Sequence, residues 1–140
     1  MKHNLVLRLI TKYLFPMMAL FALYVQFHGD YGPGGGFQAG VILSVAFILY
    51  AMVFGMETIE QVLPLAVLRV LASTGVLIYA GTGVTTLLMG GNFLDYDILS
   101  QYPIQGQHIG IMIIELGVGI TVSAVMLIIF YAFTDRRSND

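Results

Sequence analysis

The chain has 140 residues, of which 58% are hydrophobic and 10% are charged, and its formal net charge is −2. An ordinary soluble domain carries about 25% charged residues, so this composition excludes a freely soluble globular domain and predicts an integral membrane protein. The weak negative charge excludes a nucleic-acid-binding surface. Cysteine is absent, which excludes disulfides, thiolate metal sites and a cysteine nucleophile.

Four apolar segments of the chain are each long enough to cross a bilayer, which takes about 20 residues of helix. We therefore predict an all-α fold with one transmembrane domain over residues 1–140, and four spans at about residues 5–27, 37–55, 65–89 and 107–133. A signal peptide would also begin with basic residues and an apolar stretch. No small-residue cleavage site follows the first segment and more spans come after it, which favours a membrane helix.

A glycine-rich segment, GDYGPGGGFQAG at residues 29–40, separates the first two spans. Proline lacks an amide donor and glycine loses the most backbone entropy on ordering, so this segment predicts a sharp reversal of the chain. Small residues then recur every four positions, which places them in one row on the second helix and predicts close packing against another helix. The residues to which we assign this packing role are Gly34, Gly35, Gly36, Gly40 and Ser44.

The third span carries several hydroxyl side chains, and Tyr79 and Thr82 lie on one line along it. Hydroxyls on such a line either bond to neighbouring helices or border a polar passage. Tyr79 and Thr82 are therefore candidate ion-path residues, with helix packing as the simpler alternative. The loop from Gly90 to Gly106 is long and acidic, which predicts that it is exposed.

Glu115 lies about eight residues into the fourth span, about 12 Å along the helix. A carboxylate at that depth is costly in lipid, so we expect it to face other helices, a partner subunit or a water-filled path. A carboxyl group that changes protonation there would suit a proton or cation relay, and a glutamate that only fixes helix packing is the simpler alternative. His108 lies nearly two turns away on the same face, either in a water-bridged line to Glu115 or simply at the membrane interface. On the other face, Gly110 and Gly117 predict close contact with another helix.

The basic residues predict how the spans are oriented. Lysine and arginine lie near the two termini and the second link, and the first and third links have neither. Because cytoplasmic segments carry the excess of lysine and arginine, we predict that both termini and the second link are cytoplasmic. The six basic residues are Lys2, Arg8, Lys12, Arg69, Arg136 and Arg137.

No pattern of catalytic or metal-binding residues stands out along the sequence. Gly34-x-Gly36-x-x-Ala39 imitates the dinucleotide-binding fingerprint, but a membrane-length segment rather than a strand precedes it, so it does not predict a nucleotide site. A catalytic triad, a paired carboxylate site and a metal cluster are all absent from the sequence pattern. We therefore predict a protein that is not an enzyme and that has no cofactor and no metal site.

Three segments of the chain carry a resemblance to a known family. They are Asp30–Gly40, with the sequence DYGPGGGFQAG, Glu57-Thr58 in the second link, and Ile114–Val118, with the sequence IELGV. Together they are similar to the MrpB/MnhB family, small subunits of the multi-subunit sodium/proton antiporter, and the resemblance extends along essentially the whole chain. Glu115 stands where the resemblance suggests aspartate, so the acid is retained with a longer reach.

The resemblance implies a multi-pass subunit in the cytoplasmic membrane of a prokaryotic cell. It implies other antiporter subunits as partners in a hetero-oligomer, sodium ions and protons as the transported ions, and contact with membrane lipid. The large subunits of that family are credited with most of the proton-pumping machinery, so the small subunit would serve assembly or form one wall of an ion path. The alternatives are a structural subunit of a related membrane-bound hydrogenase-type complex and a self-sufficient small ion channel.

Overall fold

The structure, a computed structural model, describes residues 5–29 and 34–138, and the backbone alone for residues 135–138. Its five α-helices in this described part are α1 (Leu5–Phe27), α2 (Gly36–Phe54), α3 (Met56–Val62), α4 (Leu65–Leu88) and α5 (Pro103–Ser138). The helices α1, α2, α4 and α5 are long and apolar enough to cross a membrane. The prediction of an all-α membrane protein with four spans is thus confirmed. Residues 30–33 of the predicted reversal, and Lys2, lie outside the described residues.

Glycine and proline set most of the helix boundaries. Gly55 has a φ of +103°, a conformation that favours glycine, and it separates α2 from α3. Pro64 precedes α4, and Pro103 is the first residue of α5, where its missing amide hydrogen is not needed. The fourth long helix therefore begins earlier than the predicted start near residue 107.

The second link, between the second and third spans, contains a short helix. Helix α3 runs over Met56–Val62, and its Ile59 is buried. Ile59 belongs to a small core with residues from the end of α2, the start of α4 and the end of α5. This core explains why the polar segment is helical: Ile59 and the partly buried Met56 face the other helices while the glutamates are exposed. The members of the core are Ala51, Ile59, Leu68, Leu127 and Tyr131.

The four long helices form a row in the order α1, α2, α5, α4. Helix α5 packs against α4 on one side and α2 on the other, α1 packs against α2, and α1 contacts α5 only slightly. A row of helices leaves large apolar side chains uncovered on both faces, and α1 shows this most clearly, with Leu5 80% exposed and Leu20 69% exposed. Such a surface must be covered by lipid or by other proteins.

The helices approach one another most closely at glycines. A Cβ atom added at Gly40 of α2 would lie 2.7 Å from the carbonyl oxygen of Gly119 and 2.9 Å from Cβ of Val122 on α5. Between α4 and α5, a Cβ atom at Gly117 would lie 2.9 Å from the carbonyl oxygen of Gly75. Real Cβ atoms do not approach backbone atoms so closely, so these contacts depend on glycine.

The ends of the helices are not level. Gly36, the first residue of α2, lies against the backbone of Glu115, whereas α5 starts at Pro103. About 12 residues of α5, or about 18 Å, therefore extend beyond the start of α2. Helix α4 runs alongside this extension, so the start of α2 is recessed relative to the α4–α5 pair.

The loop between α4 and α5 is largely exposed, as predicted, and it also packs on these two helices. The ring of Phe93 covers Gly83 of α4, and the ring of Tyr96 covers Gly110 of α5. The buried Thr86 hydroxyl accepts a hydrogen bond from the amide of Leu94 (3.0 Å), and Gln107 Nε2 donates to Asp97 Oδ1 (2.7 Å). The aromatic rings of Phe93 and Tyr96, packed against Gly83 and Gly110, thus fix the loop at the end of the α4–α5 pair.

Candidate functional site

Glu115 lies against the glycine-rich reversal between α1 and α2. A Cβ atom at Gly29 would lie 2.5 Å from Oε1 of Glu115, and one at Gly35 would lie 3.0 Å from the same atom. Only residues without side chains leave room for the carboxylate there. The carboxylate is half-buried and borders a groove of about 360 Å³ that is also lined by Gly34, Gly36, Phe37, Gln38, Ile114 and Val118.

The backbone around Glu115 is suited to an anion. Gly35 is the N-cap residue of α2, with a φ of +123°, and its own side chain cannot cap the helix. The first amides of a helix lack partners within the helix, and the helix dipole makes this end positive. The carboxylate of Glu115, next to Gly35, thus lies at the positive end of the α2 helix dipole.

The reversal itself is closed by backbone contacts. The amide of Gly35 donates to the carbonyl oxygen of Val25 near the end of α1, at 3.2 Å. A Cβ atom at Gly34 would lie 2.8 Å from that same oxygen. Gly34 and Gly35 therefore hold the start of α2 close to the end of α1, which positions the wall of the Glu115 groove.

His108 lies on the part of α5 that extends beyond α2. It is exposed, and seven residues of helix place it about 10 Å along the axis from Glu115. Seven residues make nearly two helical turns, so both residues project from the same side of α5. His108 thus lies beyond the level at which α2 begins, on the same side of the helix as the carboxylate.

Tyr79 and Thr82 lie on α4, on the other side of α5 from the reversal. Tyr79 is 41% exposed and borders a groove of about 180 Å³ together with Gly75, Gly117, Val118 and Thr121. Thr82 is buried, and its hydroxyl donates to the carbonyl oxygen of Ile78 in its own helix, at 2.8 Å. The structure therefore does not bring these two residues into the groove of Glu115.

The two grooves nevertheless adjoin. Val118 lines the groove of Glu115 and also the groove of Tyr79. This shared residue is on α5, between the two grooves.

The loop residue Tyr96 lies near Tyr79. Burial and the nearby Tyr79 raise the pKa of Tyr96, so its phenol stays neutral at physiological pH.

The residues predicted to mediate packing lie at several different contacts. Gly36, Gly40 and Ser44 are all buried along α2, and Gly36 and Gly40 contact α5. Gly117 lies against α4, but Gly110 lies against the ring of Tyr96 in the loop rather than against another helix.

Sequence reasoning missed three glycines that shape the contacts around the site. Gly29 accommodates the Glu115 carboxylate, Gly75 faces Gly117, and Gly119 lies against Gln26 and Gly36. The spacing Gly117-x-Gly119 is a signal that could have shown two close contacts on different sides of α5. The identity of the facing residues could not be read from it.

Metal binding has no obvious basis in the part of the chain that the structure describes. Across residues 5–29 and 34–134, the side chains of histidine, aspartate and glutamate do not form a group of three that could hold a metal ion. The candidate site therefore consists of one carboxylate, that of Glu115, packed against the backbone of Gly29 and Gly35.

Comparison with known proteins connects this geometry to a family. A family model described as a domain related to the MnhB subunit of Na+/H+ antiporter matches residues 6–128. The chain belongs to the MnhB family. Proteins of Staphylococcus aureus strains Newman and JH1, each named as an antiporter subunit, mnhB2, are 36% identical to it over 142 residues. These matches cover 99% of this chain and 100% of each relative.

The match to the MnhB family model, over residues 6–128, includes both the glycine-rich segment and Glu115. A family of antiporter subunits is one of transport proteins rather than of enzymes in the usual sense. The four membrane-length helices agree with a multi-pass protein of the cell membrane.

Proposed function

We propose that the chain joins other subunits of an antiporter complex and contributes Glu115 to the wall of an ion path. Its family makes it a subunit of a multi-subunit Na+/H+ antiporter. The observation that carries the second part is the carboxylate of Glu115, which lies half-buried in a groove of about 360 Å³. Sodium ions and protons are both attracted to such a group.

The arrangement of the helices supports a role in assembly. A row of four helices exposes more apolar surface than a closed bundle, and its two faces are available to neighbours on both sides. The part of α5 that extends beyond the start of α2 adds further exposed surface. Other antiporter subunits are the partners that we assign to these surfaces, and lipid covers the remainder.

The orientation of the chain determines which side of the membrane the groove of Glu115 serves. Arg69 near the start of α4, and Arg8 and Lys12 near the start of α1, support a cytoplasmic position for these ends. The reversal and the loop that carries Tyr96 then lie toward the outside of the cytoplasmic membrane. Glu115 would accordingly exchange ions with the outer solution.

Ion exchange in membrane vesicles tests the role of Glu115. We expect Glu115→Gln in the whole complex to reduce sodium/proton exchange at least about ten-fold or to move its pH profile, because amide replaces the group that binds protons and cations. A native gel of the same preparation must show an intact complex. Glu57→Gln, at an exposed position on α3, is the matched control and should leave exchange unchanged.

Two results would contradict the role of Glu115 in ion exchange. Full exchange activity in an intact Glu115→Gln complex would make the glutamate a packing residue and the chain a scaffold. An equal loss of exchange in the Glu57→Gln control would show that any loss of charge disturbs the complex.

A further inference from the structure

A third groove, away from Glu115 and Tyr79, lies where the start of α1 meets the end of α2. It measures about 290 Å³ and is lined by Leu5, Arg8, Leu9, Lys12 and Phe54. Arg8 and Lys12 are four residues apart on α1, so they project from the same face of the helix. Both side chains are exposed. The groove therefore presents two positive charges at one end of a membrane-length helix.

The geometry of Arg8 prepares it to bind an oxyanion. Its Cζ atom lies over the Phe54 ring, 5.0 Å from the ring centre, and this cation–π contact holds the guanidinium in the groove. The ring face accepts no N–H hydrogen bond of ordinary strength, so the guanidinium retains N–H groups that match the oxygen atoms of a phosphate. Lys12 adds an ammonium group one helical turn further into the span.

The other walls of the groove are apolar and exposed. Leu5 is 80% exposed and Leu9 is 55% exposed. None of the described residues that line the groove is acidic, so the groove itself offers neither basic group a carboxylate. A ligand that complements these walls carries a negative headgroup and a hydrocarbon chain. This combination describes an anionic phospholipid.

We propose that this groove binds the headgroup of an anionic phospholipid. The phosphate lies between Arg8 and Lys12, and the acyl chains lie along the exposed apolar side chains of α1. Basic side chains at the edge of a membrane span attract anionic lipids. Because Arg8 is held over the Phe54 ring, this site binds an anionic headgroup in a more defined position than an isolated snorkelling lysine does. The proposal does not depend on a role for Glu115 in ion exchange.

Native mass spectrometry of the full chain in nonionic detergent tests this site. The delipidated protein is titrated with phosphatidylglycerol and with phosphatidylcholine of the same acyl chains. We expect the double variant Arg8→Gln/Lys12→Gln to bind phosphatidylglycerol about ten-fold more weakly or worse, and phosphatidylcholine as before. Arg69→Gln, which removes an exposed basic residue outside the groove, should retain the affinity of the unaltered chain to within about two-fold.

Three results, from the titration, from displacement by phosphate and from cross-linking, would overturn the proposal. Equal phosphatidylglycerol binding by the double variant and the unaltered chain would show that the lipid binds elsewhere. Displacement of the lipid by equimolar inorganic phosphate would identify a site for free anions. Cross-linking of Lys12 to an acidic segment of another subunit, in the assembled complex, would assign the groove to a protein partner. Unchanged helical circular dichroism of the double variant ensures that a loss of binding reports the site.

Discussion

The closest helix contacts of this chain depend on single glycines, and glycines on different helices differ sharply in what they contact. Gly40 faces the backbone of α5, whereas a Cβ atom at Gly81 of α4 would meet nothing within 4 Å. A methyl group at the first position must push two helices apart. The same group at the second position only removes backbone freedom from the unfolded chain.

Substitution of these two glycines by alanine should therefore have opposite effects. We expect Gly40→Ala to destabilise the folded chain by about 1–3 kcal/mol, because its Cβ atom would overlap the carbonyl oxygen of Gly119. Gly81→Ala, the matched control, should be neutral or stabilise by up to about 1 kcal/mol. Thermal unfolding in detergent measures both. Equal midpoints for the two variants would contradict the close contact at Gly40, and Gly40→Leu should also reduce the yield of the assembled complex.

At the level of the elements, α3 is tied to α5 by one hydrogen bond. The hydroxyl of Tyr131 donates to the carbonyl oxygen of Leu63 at 2.9 Å, and Tyr131 is buried. Leu63 follows the last residue of α3, and Pro64 begins the connection to α4. The bond thus fixes the second link against the end of the longest helix.

Removal of this hydroxyl should loosen α3 without disturbing the spans. We expect Tyr131→Phe to lower the unfolding free energy of the link by about 1 kcal/mol, because the Leu63 carbonyl loses a buried donor. Hydrogen exchange of the amides of Met56–Val62 should accelerate accordingly. Tyr102→Phe, at a site that is 66% exposed, is the control and should leave this exchange unchanged. Exchange rates that do not differ between the two variants would show that the core around Ile59 suffices.

The elements also show which parts of the fold the sequence could predict. The long helices follow from apolar length alone. Helix α3 was missed because one buried residue, Ile59, in a polar segment is too weak a pattern, while Pro103 did carry a recognisable start signal for α5. The neighbours of Glu115 could not be predicted for a different reason. Its depth in the span was readable from the sequence, but helix spacing alone does not show that Gly29 and Gly35 lie beside its carboxylate.

At the level of the whole molecule, contacts between distant segments decide the arrangement. The order α1, α2, α5, α4 places the last helix of the chain between two earlier ones, and hydrophobicity does not encode that choice. The facing glycines determine the order, because the backbones of α2 and α5 meet at Gly40 and Gly119. The backbones of α4 and α5 meet at Gly75 and Gly117. The row that results has two open faces. This shape explains why the chain needs lipid and neighbouring subunits to cover it.

The orientation of this row in the membrane can be measured directly, because the chain has no cysteine. Single cysteines are introduced by Gln101→Cys in the loop before α5 and by Glu57→Cys in α3, both at exposed positions. A membrane-impermeant maleimide should label the first variant in intact cells and the second only after permeabilisation, since the basic residues favour a cytoplasmic second link. The opposite labelling pattern would reverse the topology. The groove of Glu115 would then open toward the cytoplasm, and the carboxylate would meet ions leaving the cell rather than ions entering it.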